Sequence, residues 1–261
     1  SKYFLLNAPY SVTYRTLLIN ICVSESVRRA VMNASAVARG KCAAKLVKLH
    51  EFVCRKSRNF AAMMKTNENI YPVFDRMLSR EDKESLLGQK GVMLWFTGLS
   101  GSGKTTVALA LERELHRRGL LCRILDGDNI RTGINANLGF SEDDRKENIR
   151  RIAEVGKLFV DTGIITIASF ISPTRELREM ARDIIGADDF KEIYISTSLE
   201  ACEARDVKGL YARARRGEVK NFTGISAPFE APEQPALSLD TAALPLEESV
   251  RQLLHLLGIE S

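Results

Sequence analysis

The sequence lacks a long apolar run. Leu17 to Val23, the longest near the start, is far below the ~20 residues that a bilayer-spanning helix needs, and no other segment comes closer. The chain therefore reads as soluble, with no membrane partner. Cysteine is scarce: Cys22, Cys42, Cys54, Cys122 and Cys202 are odd in number and show no CxxC spacing. That argues against a disulfide framework or a zinc site and makes a reducing, cytoplasmic setting the default. Acidic residues are nearly missing from the first 65 positions, where 12 Lys and Arg face only Glu25 and Glu51. The remaining residues carry 26 basic and 31 acidic side chains, so the net charge of +5 is a property of one terminal stretch. A nucleic-acid-binding surface is excluded on that ground, since the part with folding signals is acidic.

What is present falls into two parts. Residues 1–65 form a basic leader rich in Ser, Ala, Arg and Lys, without a clean helical or strand period. Three readings fit it: a transit peptide, a helical extension around Val27 to Cys54, or upstream sequence outside the working protein with Met63 or Met64 as the natural start. The last is preferred, and no functional residue is assigned there. Residues 66–261 alternate regularly. Apolar runs at Val92 to Thr97, Leu121 to Leu125, Ile164 to Phe170, Glu192 to Ser196 and Leu237 to Asp240 read as strands, with helical segments between them. Among these are Thr105 to Arg118, ended by Gly119, and a helix opened by the cap Ser141-Glu142-Asp143-Asp144 and stopped by Gly163. Continuous apolar strands alternating with helices predict an α/β fold, a doubly wound, parallel, five-stranded sheet covered on both faces.

The most specific signal is Gly98-Leu99-Ser100-Gly101-Ser102-Gly103-Lys104-Thr105, followed by Thr106. It fits G-x-x-x-x-G-K-[ST] at every fixed position, after a strand and before a helix. The glycines let backbone N–H groups converge on phosphate oxygens at a helix N-terminus. Lys104 suits the β- and γ-phosphates, and the Thr105 hydroxyl suits Mg²⁺. Binding of a nucleoside triphosphate follows, although the acceptor does not.

Asp126-Gly127-Asp128-Asn129 follows the second strand, at the edge that faces the ligand crevice of such a sheet. Asp126 and Asp128 are candidates for polarising an attacking hydroxyl and holding Mg²⁺, against the plainer reading of a turn that caps the next helix. Arg131, Arg145 and Asn148 cluster after that edge. Arg145 and Asn148 are three apart on one helix, and a guanidinium fork matches a phosphate or sulfate. Phe140 is placed to stack on a base. Pro173 biases Ser172 toward an extended backbone at the end of the third strand. A basic helix between Gly209 and Gly217, following Lys208, reads as a lid over phosphates or else as a solvated face. The irregular stretch from Asn221 to Glu230 carries Phe222 and Phe229 and reads as a binding loop.

In this order GLSGSGKTT, LDGDNIR, LGFSEDDRKENIRRIAEVGKLF, FISP, RDVKGLYARARRGE, NFTGI and APFEAPE closely resemble the adenylyl-sulfate kinase family over roughly Asn69 to Leu257. The single-domain bacterial form is the most similar, because no sulfurylase domain fits in the remaining length. The resemblance implies transfer of the ATP γ-phosphoryl group, with Mg²⁺, to the ribose 3′-hydroxyl of adenosine 5′-phosphosulfate (APS). It implies Asp128 as base with Asp126 near the metal, and Arg131, Arg145 and Asn148 on the phosphosulfate. Phe140 and Phe229 would lie on the acceptor adenine, Ile171 and Ser172 against the substrate, and Lys208 in the lid. Arg205, Phe222 and Thr223 would lie on the ATP-base side. It also assigns Ser172 a phosphoserine intermediate, although in-line transfer needs only positioning and charge neutralisation, and no activating base lies nearby in sequence. A homodimer is an assembly open to such a chain. Two departures stand out. Gly156 replaces a small side chain in mid-helix, at a cost of about 1 kcal/mol. The leader has no bacterial counterpart, which would suit a plastid if it is a transit peptide. Another P-loop small-molecule kinase and a non-catalytic nucleotide switch are the competing functions.

Overall fold

The computed structural model describes residues 70–259. The leader, residues 1–65, lies outside the described residues. The chain divides between Arg76 and Met77, and every strand and α-helix among the described residues belongs to the second unit. Among the described residues ahead of the division there is a short 3-10 turn, Phe74–Arg76.

Five strands form one parallel sheet in the order β2-β3-β1-β4-β5: β1 (Val92–Thr97), β2 (Cys122–Asp126), β3 (Ile165–Ser169), β4 (Phe190–Ile195) and β5 (Leu237–Leu239). Among the described residues the helices are α1 (Arg80–Leu87), α2 (Lys104–Arg117), α3 (Gly127–Arg131), α4 (Glu142–Val160), α5 (Arg175–Ile185), α6 (Leu199–Arg205), α7 (Leu210–Arg215) and α8 (Leu246–Leu256). The central strand is buried on both faces because its alternate residues serve two cores. Leu94 and Phe96 pack with Val107, Leu111 and Leu115 of α2 and Leu253 of α8. Met93 and Trp95 pack with Ile149, Ile152 and Ala153 of α4 and Ala181 of α5.

The local signals account for the helix starts. Ser141 Oγ accepts from Asp144 N and begins α4, and Thr174 and Ser198 cap α5 and α6 in the same way. Strand limits differ from the sequence reading by one or two residues, mostly because ladder pairing, not hydropathy, sets the ends. The glycine at position 156 is not simply a weak helix residue. A Cβ there would come 2.2 Å from Met93 Cε, so its absence is what lets α4 lie close on β1.

The chain leaves β1 for β2 and β3 on one side, then crosses to β4 and β5 on the other. The carboxyl ends of β1, β3 and β4 therefore border a topological switch point, where open α/β sheets bind ligands. Register brings Phe96 beside Ser169, Asp126 beside Ser169 and Thr97 beside Tyr194 at that edge.

Candidate active site

Gly98 leaves β1 with φ +148°, and a Cβ on it would lie 2.6 Å from the Ile195 carbonyl oxygen. Only glycine fits both the angle and the approach. The loop then turns into α2, whose first residue, Lys104, is buried. Lys104 Nζ donates to the carbonyl oxygens of Gly98 at 3.0 Å and Leu99 at 2.6 Å, and to Ser102 Oγ at 3.4 Å. Burial pulls its ammonium down to about 8. An ammonium held among neutral carbonyls gains most from an anion placed at the mouth of the loop.

Thr105 Oγ1 donates to Asp126 Oδ2 at 2.9 Å and lies 3.4 Å from Ser169 Oγ. The other carboxylate oxygen of Asp126 accepts from the backbone N–H groups of Asp128 and Asn129 and caps α3. The capping reading of this aspartate therefore holds for one oxygen, and the other faces the phosphate-loop threonine. Asp128 is exposed and ion-paired with Lys208, which lies just ahead of α7.

Beyond α3, Arg131 Nη1 donates to the carbonyls of Leu138 and Gly139 while its Cζ sits 4.4 Å from the Phe140 ring centroid. Phe140 itself is 68% exposed. Burial, then the like charge of Arg145, pulls the Arg131 guanidinium down from its ordinary value, so the two arginines make one positive corner. Arg145 bonds to the Phe140 carbonyl, to the Asn221 carbonyl at 2.7 Å and to Thr223 Oγ1 at 3.3 Å. It therefore ties α4 to the loop after α7. Asn148 does not share that environment. It is buried, and its Oδ1 accepts from Asn135 Nδ2 at 2.9 Å.

One expectation needs correction. Ser172 is not extended: its φ is +37° despite the following proline, and its hydroxyl is buried, accepting from Trp95 Nε1 at 3.0 Å. Thr97 Oγ1 and Arg178 Nη1 hold its carbonyl, and these contacts from other elements override the local preference. Phe222 is buried edge-on against Tyr211, with ring centroids 5.0 Å apart, in a small core with Cys202 and Ala214. Thr223 is buried beside it. Arg205, by contrast, lies at the phosphate loop and donates to the Gly101 carbonyl and to Thr241 Oγ1 and carbonyl. Thr106 stands exposed on the first turn of α2.

The basic helix is present as α7, but Arg213, Arg215 and Arg216 pair with Glu218, Glu203 and Glu218 rather than facing the phosphate loop. What joins α7 to the loop is Tyr211, whose hydroxyl donates to the Ser100 carbonyl at 2.8 Å. Phe229 stacks on Tyr194 at 5.9 Å and, with Leu99, Gly224 and Pro228, borders an open cleft of about 550 Å³. Ile171 lies half-buried nearby in sequence, its carbonyl accepting from Thr97 Oγ1 at 2.7 Å. Tyr211, Thr241 and Trp95 escape a sequence reading because each acts through a partner distant in the chain.

The model of the family described as adenylylsulphate kinase matches residues 90–240. The chain belongs to the adenylyl-sulfate kinase family. Curated adenylyl-sulfate kinases resemble it over nearly their whole length. That of Phocaeicola vulgatus is 80% identical over 189 residues, 72% of this chain and 93% of the relative. That of Bacteroides fragilis is 77% identical over 193 residues, 74% of this chain and 96% of the relative. Among solved structures, the Mycobacterium tuberculosis APS kinase CysC in complex with AMPPNP and APS is 46% identical, with a TM-score of 0.63, over 65% of this chain and 99% of that one. As an adenylyl-sulfate kinase family member, the chain is a P-loop phosphotransferase.

Proposed function

We infer that the chain transfers the γ-phosphoryl group of ATP to the 3′-hydroxyl of adenosine 5′-phosphosulfate, giving 3′-phosphoadenosine 5′-phosphosulfate and ADP. The observation that carries this is the 2.9 Å hydrogen bond from Thr105 to Asp126. It sets the triphosphate cradle and the acidic turn of the acceptor side in one crevice, inside a chain of this family. In the reaction the 3′-oxygen bonds to Pγ in line with the departing β-γ bridging oxygen, and its proton passes to Asp128. Lys104 and the backbone N–H groups of the loop neutralise the charge that develops on the phosphoryl oxygens. Arg131 and Arg145 hold the phosphosulfate, with Phe140 and Phe229 on the adenine and Lys208 leaving Asp128 as the acceptor enters. Ser172 is taken to contribute position and not a phosphoserine, because direct in-line transfer needs no covalent relay and its hydroxyl is buried against Trp95.

Thr105 Oγ1 and Asp126 Oδ2 form an oxygen-only donor set, which fits Mg²⁺ bound together with substrate phosphates. The ion would supply charge neutralisation between the β- and γ-phosphates. None of the described helices is long and apolar enough to cross a membrane. A cytoplasmic setting and a homodimeric assembly complete the reading, and residues 66–261 are taken as the working domain.

The decisive experiment follows ADP release with Mg²⁺ and ATP, with and without adenosine 5′-phosphosulfate, beside a panel of nucleoside and metabolite acceptors. Release that depends on the phosphosulfate is expected. Faster turnover of another acceptor would move the chain to a different kinase class, and release indifferent to any acceptor would leave only a nucleotide switch.

A further inference from the structure

The loops that flank the acceptor side converge on a buried guanidinium. Arg178, in α5, is 3% exposed. Its Nε donates to Glu192 Oε1 of β4 at 2.5 Å, Nη1 to the Ser172 carbonyl at 2.8 Å and Nη2 to the Glu230 carbonyl at 2.7 Å. Its Cζ also lies 6.0 Å from the Phe229 ring centroid.

We propose that Arg178 is a positioning residue for the acceptor, setting the loop after β3 and the loop carrying Phe229 against one another. This rests on the acceptor reading given above. Neutralising the buried charge needs Glu192 alone, yet the two remaining faces of the fork meet carbonyls from segments far apart in sequence. Both carbonyls lie next to residues that reach toward the acceptor. Ser172 sits in a left-handed conformation that a non-glycine residue before proline keeps only when it is over-determined. Here Nη1 of Arg178, Thr97 Oγ1 and Trp95 Nε1 do that. Glu230 follows Phe229 directly, and its N–H donates to the Pro173 carbonyl at 2.8 Å, so the two loops are also tied to each other. The ring stacked on Tyr194 is thereby aimed by a group that does not touch substrate.

The test uses Arg178→Lys in the full chain, alone and in a Phe229→Leu background. A lysine keeps the charge opposite Glu192 but cannot serve both carbonyls. The expected result is a fall of about tenfold or more in the acceptor specificity constant, with the ATP dissociation constant held within about twofold. In the Phe229→Leu background the same change should cost measurably less, since only the loop after β3 still has a residue for it to position. An unchanged acceptor constant, an equal loss in ATP binding, or the same penalty in both backgrounds overturns the proposal. Glu192→Gln, which leaves the two loop contacts in place, should keep acceptor use within about threefold even where it melts earlier. A larger loss there also overturns it. Trp95 is the sole tryptophan and donates to Ser172, so its emission reads the same loop without turnover. Arg178→Lys should shift that emission, and an unshifted spectrum counts against the proposal even if the parent turns over no phosphosulfate. That last outcome in the parent defeats the functional reading and not this one.

Discussion

Lys104 carries the chemistry of a single residue most plainly. It is buried among the carbonyls of its own loop, with its ammonium pulled down to about 8, so in the nucleotide-free fold its charge is a cost and not a support. Lys104→Ala should therefore keep the melting temperature within about 4 °C of the parent. Phosphoryl transfer should fall by at least about a hundredfold, because the charge acts on oxygens that become more negative in the transition state. Activity within a few-fold of the parent, measured by ADP release, would remove the loop from the mechanism. At this scale the legible residues are those whose roles are set within a few positions of themselves. Gly98 to Thr105 and the cap at Asp126 belong to that class. The left-handed Ser172 does not, because three other elements supply the contacts that hold it. Nor does the burial of Phe222, because Tyr211, eleven positions earlier, supplies the ring it packs against.

Among the elements, the central strand is the most readable, because a buried parallel strand is a continuous apolar run and Val92 to Phe96 is one, whereas β2 and β4 carry charged residues within them. The helix α5 was harder to place individually, since its signals are a threonine cap and a stripe that only the sheet makes meaningful. Helix α6, seven residues long, offers even less periodicity. Gly156 shows how an element can look weaker in sequence than it is in the fold. Propensity alone says that an alanine there would stabilise α4 by about 1 kcal/mol. The structure sets against that a methyl group 2.2 Å from Met93 Cε, with Leu125 Cδ1 at 3.9 Å and Met93 fully buried in the core. Overpacking of this kind costs about 1–3 kcal/mol, so the net sign should be destabilising. Gly156→Ala is expected to lower the melting temperature by a few degrees, and Met93→Ala in the same chain should recover part of the loss relative to Met93→Ala alone. A variant that melts higher than the parent would mean that Met93 finds another rotamer at no cost and that the glycine is only tolerated.

For the whole molecule, the unresolved matter of the sequence is how the basic leader relates to the kinase. Residues 1–65 carry ten net positive charges and the rest five net negative, so electrostatics alone favours some association between them. The strands and α-helices of the described residues begin at Arg80 or later, and the phosphate loop and the loops after β3 and α7 lie among them in sequence. The curated relatives are matched over 93% and 96% of their own lengths by 72% and 74% of this chain, so a domain of their size accounts for the catalytic parts. A chain starting at Met64 should then melt within about 2 °C of the full chain and keep its acceptor specificity constant within about twofold. The comparison belongs at both low and high salt, because an association driven by charge fades once the Debye length shrinks to a few ångströms. A loss of several degrees at low salt that disappears at high salt would reveal a leader held to the domain by charge. A loss that persists in salt would mean that the leader buries apolar surface against the domain and belongs to the working fold.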